Sequence, residues 1–355
     1  MNRRRLLQAA AAIVAAGPWL ARGQQRVPIA DMHSHYGMVT RRQLAESGFA
    51  EDMRGSGVVL VAWKLVSDGP WLRSTSNGIE QASEPRPGAL AEFFERSLIR
   101  MDAYVRAHKL KKVLTRSDVD ECLNGATGIV FAAEGADFLE GKLDGLAPAY
   151  ERGLRHLQLV HYIRTPVGDR QTSAPSHDGL SDLGKRILQA CNERGILVDL
   201  AHSTGTAVDQ ALELSTAPMV WSHSWVEGEG GKWNDRNGFL QRRLSLAHAR
   251  KIAAKGGVVG LWGFGLSRPD ALWQVRQNDQ FGYARELAKL VELIGADHVA
   301  IGTDIEGVGG NWSVNTYGHV RGVVEALQAA KLAAATVEKV AFANYARVLK
   351  AALKT

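Results

Sequence analysis

The 355-residue chain predicts an α/β fold: a single-domain (β/α)8 TIM barrel with extra C-terminal helices. Three observations carry that expectation. Eight short strand-like runs alternate with amphipathic helical stretches. The runs are apolar almost throughout, as strands covered on both faces are. Polar side chains able to bind metal recur at the C-terminal ends of the runs, the face on which a (β/α)8 barrel carries its active site.

The runs are PIADMH (28–33), GVVLVAWKL (57–65), TGIVFAAE (127–134), RHLQLVH (155–161), GILVDLAH (195–202), APMVWSH (217–223), GGVVGLWGF (256–264) and DHVAIGTD (297–304). Helical periodicity fills 88–109, 182–195, 246–257 and 281–295, and two further stretches, 318–331 and 336–353, end the chain. Gly195, Gly256 and Gly295 stand where a helix closes before the next strand. The segment 67–87, with Pro70, Pro85 and Pro87, reads as a long connection and a rim or lid element. A doubly wound open sheet is the competing architecture, but no G-x-G-x-x-G follows the first run.

Ahead of the first run stands MNRRRLLQAAAAIVAAGPWLARGQQ (1–25): an arginine cluster, an Ala-rich apolar stretch and small polar residues, the order of an export signal of twin-arginine type. The expectation is an exported protein, periplasmic or secreted, whose signal is cleaved. Removing Arg3, Arg4, Arg5 and Arg22 with it lowers the formal net charge from +6 to +2. The high isoelectric point therefore gives no argument for nucleic acid, and no basic stripe interleaved with aromatics is present. After residue 25 no run is apolar enough to span a membrane. Cys122 and Cys191 make no disulfide scaffold; export permits a pairing, but Cys191, inside a helical pattern, reads as a buried thiol.

His33 and His35 lie one residue apart. On a strand they face the same way, about 7 Å apart at Cα, close enough to share a metal. Alone, H-x-H serves equally well as a polar pair at a strand exit. The other strand ends decide it: Glu134 ends the third run, His161 the fourth, His202 the fifth, His223 the sixth and Asp304 the eighth. In a barrel all seven converge on one mouth. His108, His156, His248 and His298 read instead as scattered surface histidines. Four imidazoles and a carboxylate can hold two Zn²⁺ ions if the carboxylate bridges them, and such a pair polarises a carbonyl and acidifies a bridging water to a pKa of about 7. Asp304 is then the candidate proton carrier, and His161 is free to stabilise an oxyanion.

With those residues in place the chain resembles the membrane (renal-type) dipeptidase family of the amidohydrolase superfamily, through DMHSH, FAAEGAD, LQLVHYIRTP, HDGLSDLGKRILQACNERGILVDLAH, WSHS, DRN, HVAIGTDIEGVGG and ANYARVL. The resemblance implies that residues 26–355 form a metal-dependent hydrolase that cleaves dipeptides with a metal-bridging hydroxide. It assigns His33 and His35 to one zinc, His202 and His223 to the other, and Glu134 to the bridge. It places His161 at the scissile carbonyl, Arg236 on the substrate carboxylate, and Asp304 on the proton and the substrate amino group. The implied partner is a small molecule, a dipeptide or related amide; a homodimer is left open. Three departures stand out. His35 replaces the family's usual aspartate, Glu306 stands where aspartate is more usual, and 224–244 lacks the acidic run that follows RN in the family. Other readings are an amide or lactone hydrolase of the same superfamily, acting on N-acyl amino acids or secondary metabolites, and a catalytically silent binding protein.

Overall fold

The computed structural model describes residues 26–38, 48–75, 78–226, 240–264, 279–307 and 313–355. Its strands are β1 (Ile29–Ser34), β2 (Val58–Val66), β3 (Leu72–Thr75), β4 (Gly78–Gln81), β5 (Lys111–Lys112), β6 (Gly128–Glu134), β7 (Leu154–Gln158), β8 (Leu197–Asp199), β9 (Val220–Trp221), β10 (Val258–Leu261) and β11 (Val299–Ile301). Strands β1, β2 and β6 to β11 pair in parallel, in chain order. The ring closes where Ser34 bridges Ile305, with His35 N–H donating to the Ile305 carbonyl (3.0 Å) and Asp304 N–H to the His33 carbonyl (2.8 Å). This is the expected eight-stranded barrel. The side chain of Asp31 ties the same seam, accepting from Thr303 N–H (3.0 Å) and Thr303 Oγ1 (2.6 Å); burial pushes its pKa up to about 7.

Period-2 alternation sorts each strand into two faces. On β2, Val61, Trp63 and Leu65 pack outward into the layer shared with the helices, while Leu60 and Ala62 point inward. Ala30, Met32, Val130, Ala132, Leu197, Val220, Val258 and Ala300 join them, and Phe342, Tyr345, Val348 and Leu349 of the C-terminal segment close the barrel floor. A polar layer lies in the same interior. Lys64 is ion-paired with Asp199, both fully buried. Burial alone would raise the Asp199 pKa, but Lys64 holds it well below the usual carboxylate range. His156, expected at the surface, is buried here, with Nδ1 3.2 Å from the Tyr345 hydroxyl and Nε2 3.5 Å from Asp199. Alternation around the outward Leu157 turns His156 and Gln158 inward. Gly302 is needed for closeness: a Cβ there would collide with the Ser222 carbonyl oxygen.

Helices 182–194, 205–214 and 246–254 follow β7, β8 and β9 in the chain, with Ser181, Thr204 and Ser245 accepting from the N–H groups of Gly184, Ala207 and His248. Such caps contribute about 1 kcal/mol each and set the direction in which the chain leaves the mouth. Several expectations need correction. The segment 67–87 is not a plain connection: it holds a short 3-10 turn (Gly69–Trp71) and the antiparallel hairpin β3–β4. The helical stretch 336–353 is broken by a π-helical turn (Lys339–Ala343), and helices 49–56, 116–123, 146–151 and 205–214 were not singled out by periodicity, most being too short to show it clearly. The ladders of β7, β8, β9 and β11 end two or three residues before His161, His202, His223 and Asp304, because at the mouth the backbone leaves its neighbours to turn inward. Cys122 and Cys191 are free, buried thiols, each pushed up to about 12 chiefly by burial. Among the described residues no helix is long and apolar enough to cross a membrane.

Glu286, on the helix 280–294, is half-buried with Oε2 unpartnered, and burial raises its pKa from 4.5 to about 7 against the pull of Lys289 and Arg285. The folded state holds this proton more tightly than the unfolded one, so stability falls as pH rises from 4.5 through 7. Glu286→Gln should remove that fall, raising stability at pH 8 by roughly 2 kcal/mol after allowance for partial exposure. Urea unfolding of both proteins at pH 5 and pH 8 measures it.

Candidate metal centre

Glu134 reaches the mouth as the last inward position of β6. On β1 the register breaks between Asp31 and Ser34, so His33 enters the interior although Ala30 and Met32 already point there, and His35 meets it on the same side. His202 and Asp304 arrive by a sharper route. Their φ angles, 70° and 56°, lie in the left-handed region that non-glycine residues rarely adopt. Such strain costs on the order of 1 kcal/mol and collects at functional sites.

The seven side chains expected at strand ends meet around Glu134. Its Oε2 lies 3.0 Å from His35 Nε2 and 3.3 Å from His161 Nε2. Its Oε1 lies 3.0 Å from His202 Nε2, 3.4 Å from His223 Nε2 and 3.6 Å from His33 Nε2. Asp304 Oδ1 stands 3.0 Å from His35 Nε2 and 3.4 Å from His33 Nε2. All seven are buried. Three overlapping sets have donor atoms grouped tightly enough for an ion: His33, His35 and Glu134; His33, His223 and Asp304; and Glu134, His202 and His223.

The donor chemistry fits metal ions. His35 Nδ1 lies 2.8 Å from the Lys64 carbonyl, which can only accept, so Nδ1 carries the hydrogen and Nε2 is left to face the cluster. Nitrogen faces nitrogen twice, His33 Nε2 to His35 Nε2 at 3.1 Å and His202 Nε2 to His223 Nε2 at 3.3 Å. Asp304 Oδ1 is buried against His35 and His33. Nitrogen and oxygen atoms so crowded need either protons or metal cations between them.

The protons of the metal-free cluster are unevenly shared. Burial would depress His35, but Glu134 and Asp304 outweigh it and raise its pKa to about 10. Burial and Lys64 lower His33 to about 4. His202 and His223 are held well below 6.5, by burial together with Arg242 for the former, and by burial, His33 and Arg242 for the latter. Burial would raise Glu134, yet His161, His33 and His35 hold it well below the usual range. His161 is raised: Asp68 and Glu134 overcome burial.

Two functional candidates were missed by sequence reasoning. Asp68, just after β2, lies 2.6 Å from His161 Nδ1 through Oδ1, while its Oδ2 accepts from Tyr162 and Ile163 N–H, both at 3.1 Å. Arg242 is buried, with Nη2 2.7 Å from His223 Nε2 and Nη1 donating to the Tyr162 hydroxyl at 2.7 Å. Asp68 follows β2 by two residues, beyond the apolar run that the sequence shows ending at 65, and Arg242 stands at no strand end. Arg236, the expected carboxylate-binding residue, lies outside the described residues.

A sequence profile of the membrane dipeptidase family, peptidase family M19, matches residues 84–355. The chain belongs to that family. The matched span holds Glu134, His161, His202, His223 and Asp304; His33 and His35 precede it and join the cluster through the fold. Mouse (Mus musculus) dipeptidase 3 is 34% identical over 100 residues, which is 27% of this chain and 20% of that protein. Dipeptidase tcpJ of Claviceps purpurea is 32% identical over 124 residues, 35% of this chain and 28% of its own length. The chain thus matches less than a third of each of these curated relatives. Among solved structures, the M19 metallopeptidase dipeptidase AC superposes with a TM-score of 0.75 at 19% identity, covering 93% of this chain and all of that one. A Rhodobacter sphaeroides metallopeptidase, solved with a phosphinate mimic of L-Ala-D-Ala, gives 0.71 at 19% identity over 92% of this chain and 100% of its own. These two likenesses bear on the fold, and membership of a metallopeptidase family implies metal ions.

Because His35 holds a proton up to about pH 10 in the metal-free protein, metal uptake at neutral pH must expel it, and affinity should rise with pH. His35→Asp, which supplies an unprotonated carboxylate at the same place, should bind metal with about one fewer proton released per chain. Calorimetry at pH 7.5 in buffers of differing ionisation enthalpy gives that number.

Proposed function

We propose that the protein is an exported binuclear zinc dipeptidase acting on a dipeptide or closely related small amide with a free carboxylate. The observation that carries this reading is the convergence of His33, His35, His202 and His223 on the two oxygens of Glu134, with Arg242 buried beside them. Family membership and the names of the relatives support it.

His33, His35, Glu134, His202 and His223 would hold two zinc ions, whose chemistry there would be polarisation of the scissile carbonyl and a water acidified to a pKa of about 7. The remaining work falls to the protein. Arg242 has no carboxylate partner among the described residues, and its Nε is without a hydrogen bond. A buried guanidinium left so is costly, and a substrate carboxylate can accept from it bidentately. Its hydrogen bond to His223 Nε2 uses the lone pair that a metal takes, so loading the site frees Nη2 to turn to substrate. Arg242 thereby joins Arg236, which lies outside the described residues, as a group proposed to hold the substrate carboxylate. His161, its pKa raised by Asp68, presents Nε2–H to the oxygen on which charge develops. Asp304, buried at the edge of the cluster, takes the proton from the attacking water and delivers it to the leaving amine. Residues 1–25 serve as the export signal; mature protein recovered from the periplasm or medium should begin close to residue 26 on N-terminal sequencing.

His35 in place of aspartate adds about one positive charge to the site, which favours a second reading: an N-acyl amino acid or another amide as substrate. Product release from L,L- and L,D-dipeptides, with N-acetylated counterparts and a chelator control, separates the two. Chelator-sensitive cleavage confined to free dipeptides is the expected result; cleavage of acylated compounds alone overturns the dipeptidase reading. Glu134→Gln should lower kcat/KM by at least about 10³-fold and reduce bound zinc. Arg242→Gln should raise KM about 100-fold, equivalent to roughly 2.7 kcal/mol, with zinc content unchanged.

A further inference from the structure

We propose that Ser222 is a positioning residue that sets the tautomer of one imidazole ligand in each half of the metal site. The inference rests on the binuclear reading above. Ser222 Oγ lies 2.8 Å from His33 Nδ1 and 3.0 Å from His223 Nδ1, fully buried between two rings whose centroids are 3.8 Å apart. His33 belongs to the set with His35 and Glu134, and His223 to the set with His202 and Glu134, and the two also share the set with Asp304. A single hydroxyl therefore touches a ligand of each.

A neutral imidazole carries one hydrogen, so a ring whose Nδ1 donates presents a bare lone pair at Nε2, and a ring whose Nδ1 accepts does not. The serine oxygen has two lone pairs and can accept from both rings at once. That arrangement frees both Nε2 atoms for metal. Were Ser222 to donate to either ring, that ring would carry its hydrogen at Nε2 and be lost as a ligand.

The backbone that carries the hydroxyl is held on both sides. Ser222 N–H donates to Asp199 Oδ1 (3.1 Å), which also accepts from Ala201 N–H (3.0 Å), while Asp199 Oδ2 is fixed by Lys64. The Ser222 carbonyl lies against Gly260 and Gly302, where a Cβ would collide with it. The other two ligand histidines do not share this contact: His35 has the Lys64 carbonyl, and His202 Nδ1 has no partner. Removing Oγ therefore unpins one ligand in each set simultaneously.

Zinc titration of the metal-free full chain by calorimetry tests this, comparing wild type with Ser222→Ala. The expected result is two zinc ions in the wild type and both binding steps weakened about 10–100-fold in the variant, the range for losing an outer partner of a ligand histidine. Fewer than two ions in the wild type overturns the binuclear reading, and the inference with it. Two ions in the wild type with the variant unchanged, or weakened at one step only, overturns the role of Ser222 alone. Should metal-free Ser222→Ala fail to unfold cooperatively, long-range ¹H–¹⁵N spectra of ¹⁵N-histidine wild type loaded with zinc decide the matter. Hydrogen on Nδ1 of both His33 and His223 is expected; hydrogen on Nε2 of either overturns the assignment.

Discussion

A carboxylate taken out of water is expensive to keep ionised, and Glu134 is kept so by the imidazoles around it. Five Nε2 atoms lie within 3.6 Å of its two oxygens, and their charge and hydrogen bonds hold its pKa well below the ordinary value against the pull of burial. Its two oxygens look in different directions, Oε2 toward His35 and His161, Oε1 toward His202, His223 and His33. Much of the mouth is arranged by that division. It gives one side chain two faces, and with them the means to join two halves of a site.

The barrel beneath is built to support this cluster as well as to be stable. Its floor is apolar, but the layer that carries the site is not. Lys64 and Asp199 pair there, Asp199 fixes the Ser222 backbone, and Ser222 meets two ligand rings. A buried ion pair is weak evidence for stability, because desolvation offsets most of its Coulombic gain. Its effect here is positional: it fixes the points from which ligand rings are oriented. The left-handed backbone at His202 and Asp304 has the same character, a local cost borne where side chains must be aimed inward.

The outer wall of the mouth comes from the turns that follow β2 and β7 and from the segment before helix 246–254. Asp68 and the turn after β7 hold His161; the residues before helix 246–254 bring Arg242 to His223. These contacts surround the cluster with one raised imidazole and one buried guanidinium, both suited to an anionic, carbonyl-bearing ligand. His35, a neutral ligand type where the sequence resemblance leads one to expect a carboxylate, makes the same cavity more positive.

The sequence alone determined the barrel and the seven residues at its mouth. Both follow from local rules: strand and helix periodicity is read within a few residues, and in a parallel barrel every strand ends on the same face, so chain position predicts convergence. What it could not determine was set by distance across the fold. His156 points inward because Leu157 takes the outer face of its strand, and the polar partners that receive it, Asp199 and Tyr345, come from other parts of the chain. Asp68 reaches His161, and Arg242 reaches Tyr162, across separations of 93 and 80 residues. Ser222 gained its place between two rings only when β1 and β9 were brought to one interior. Hydrogen bonds between side chains far apart in the chain have no sequence period, and those contacts decide the protonation and aim of the site.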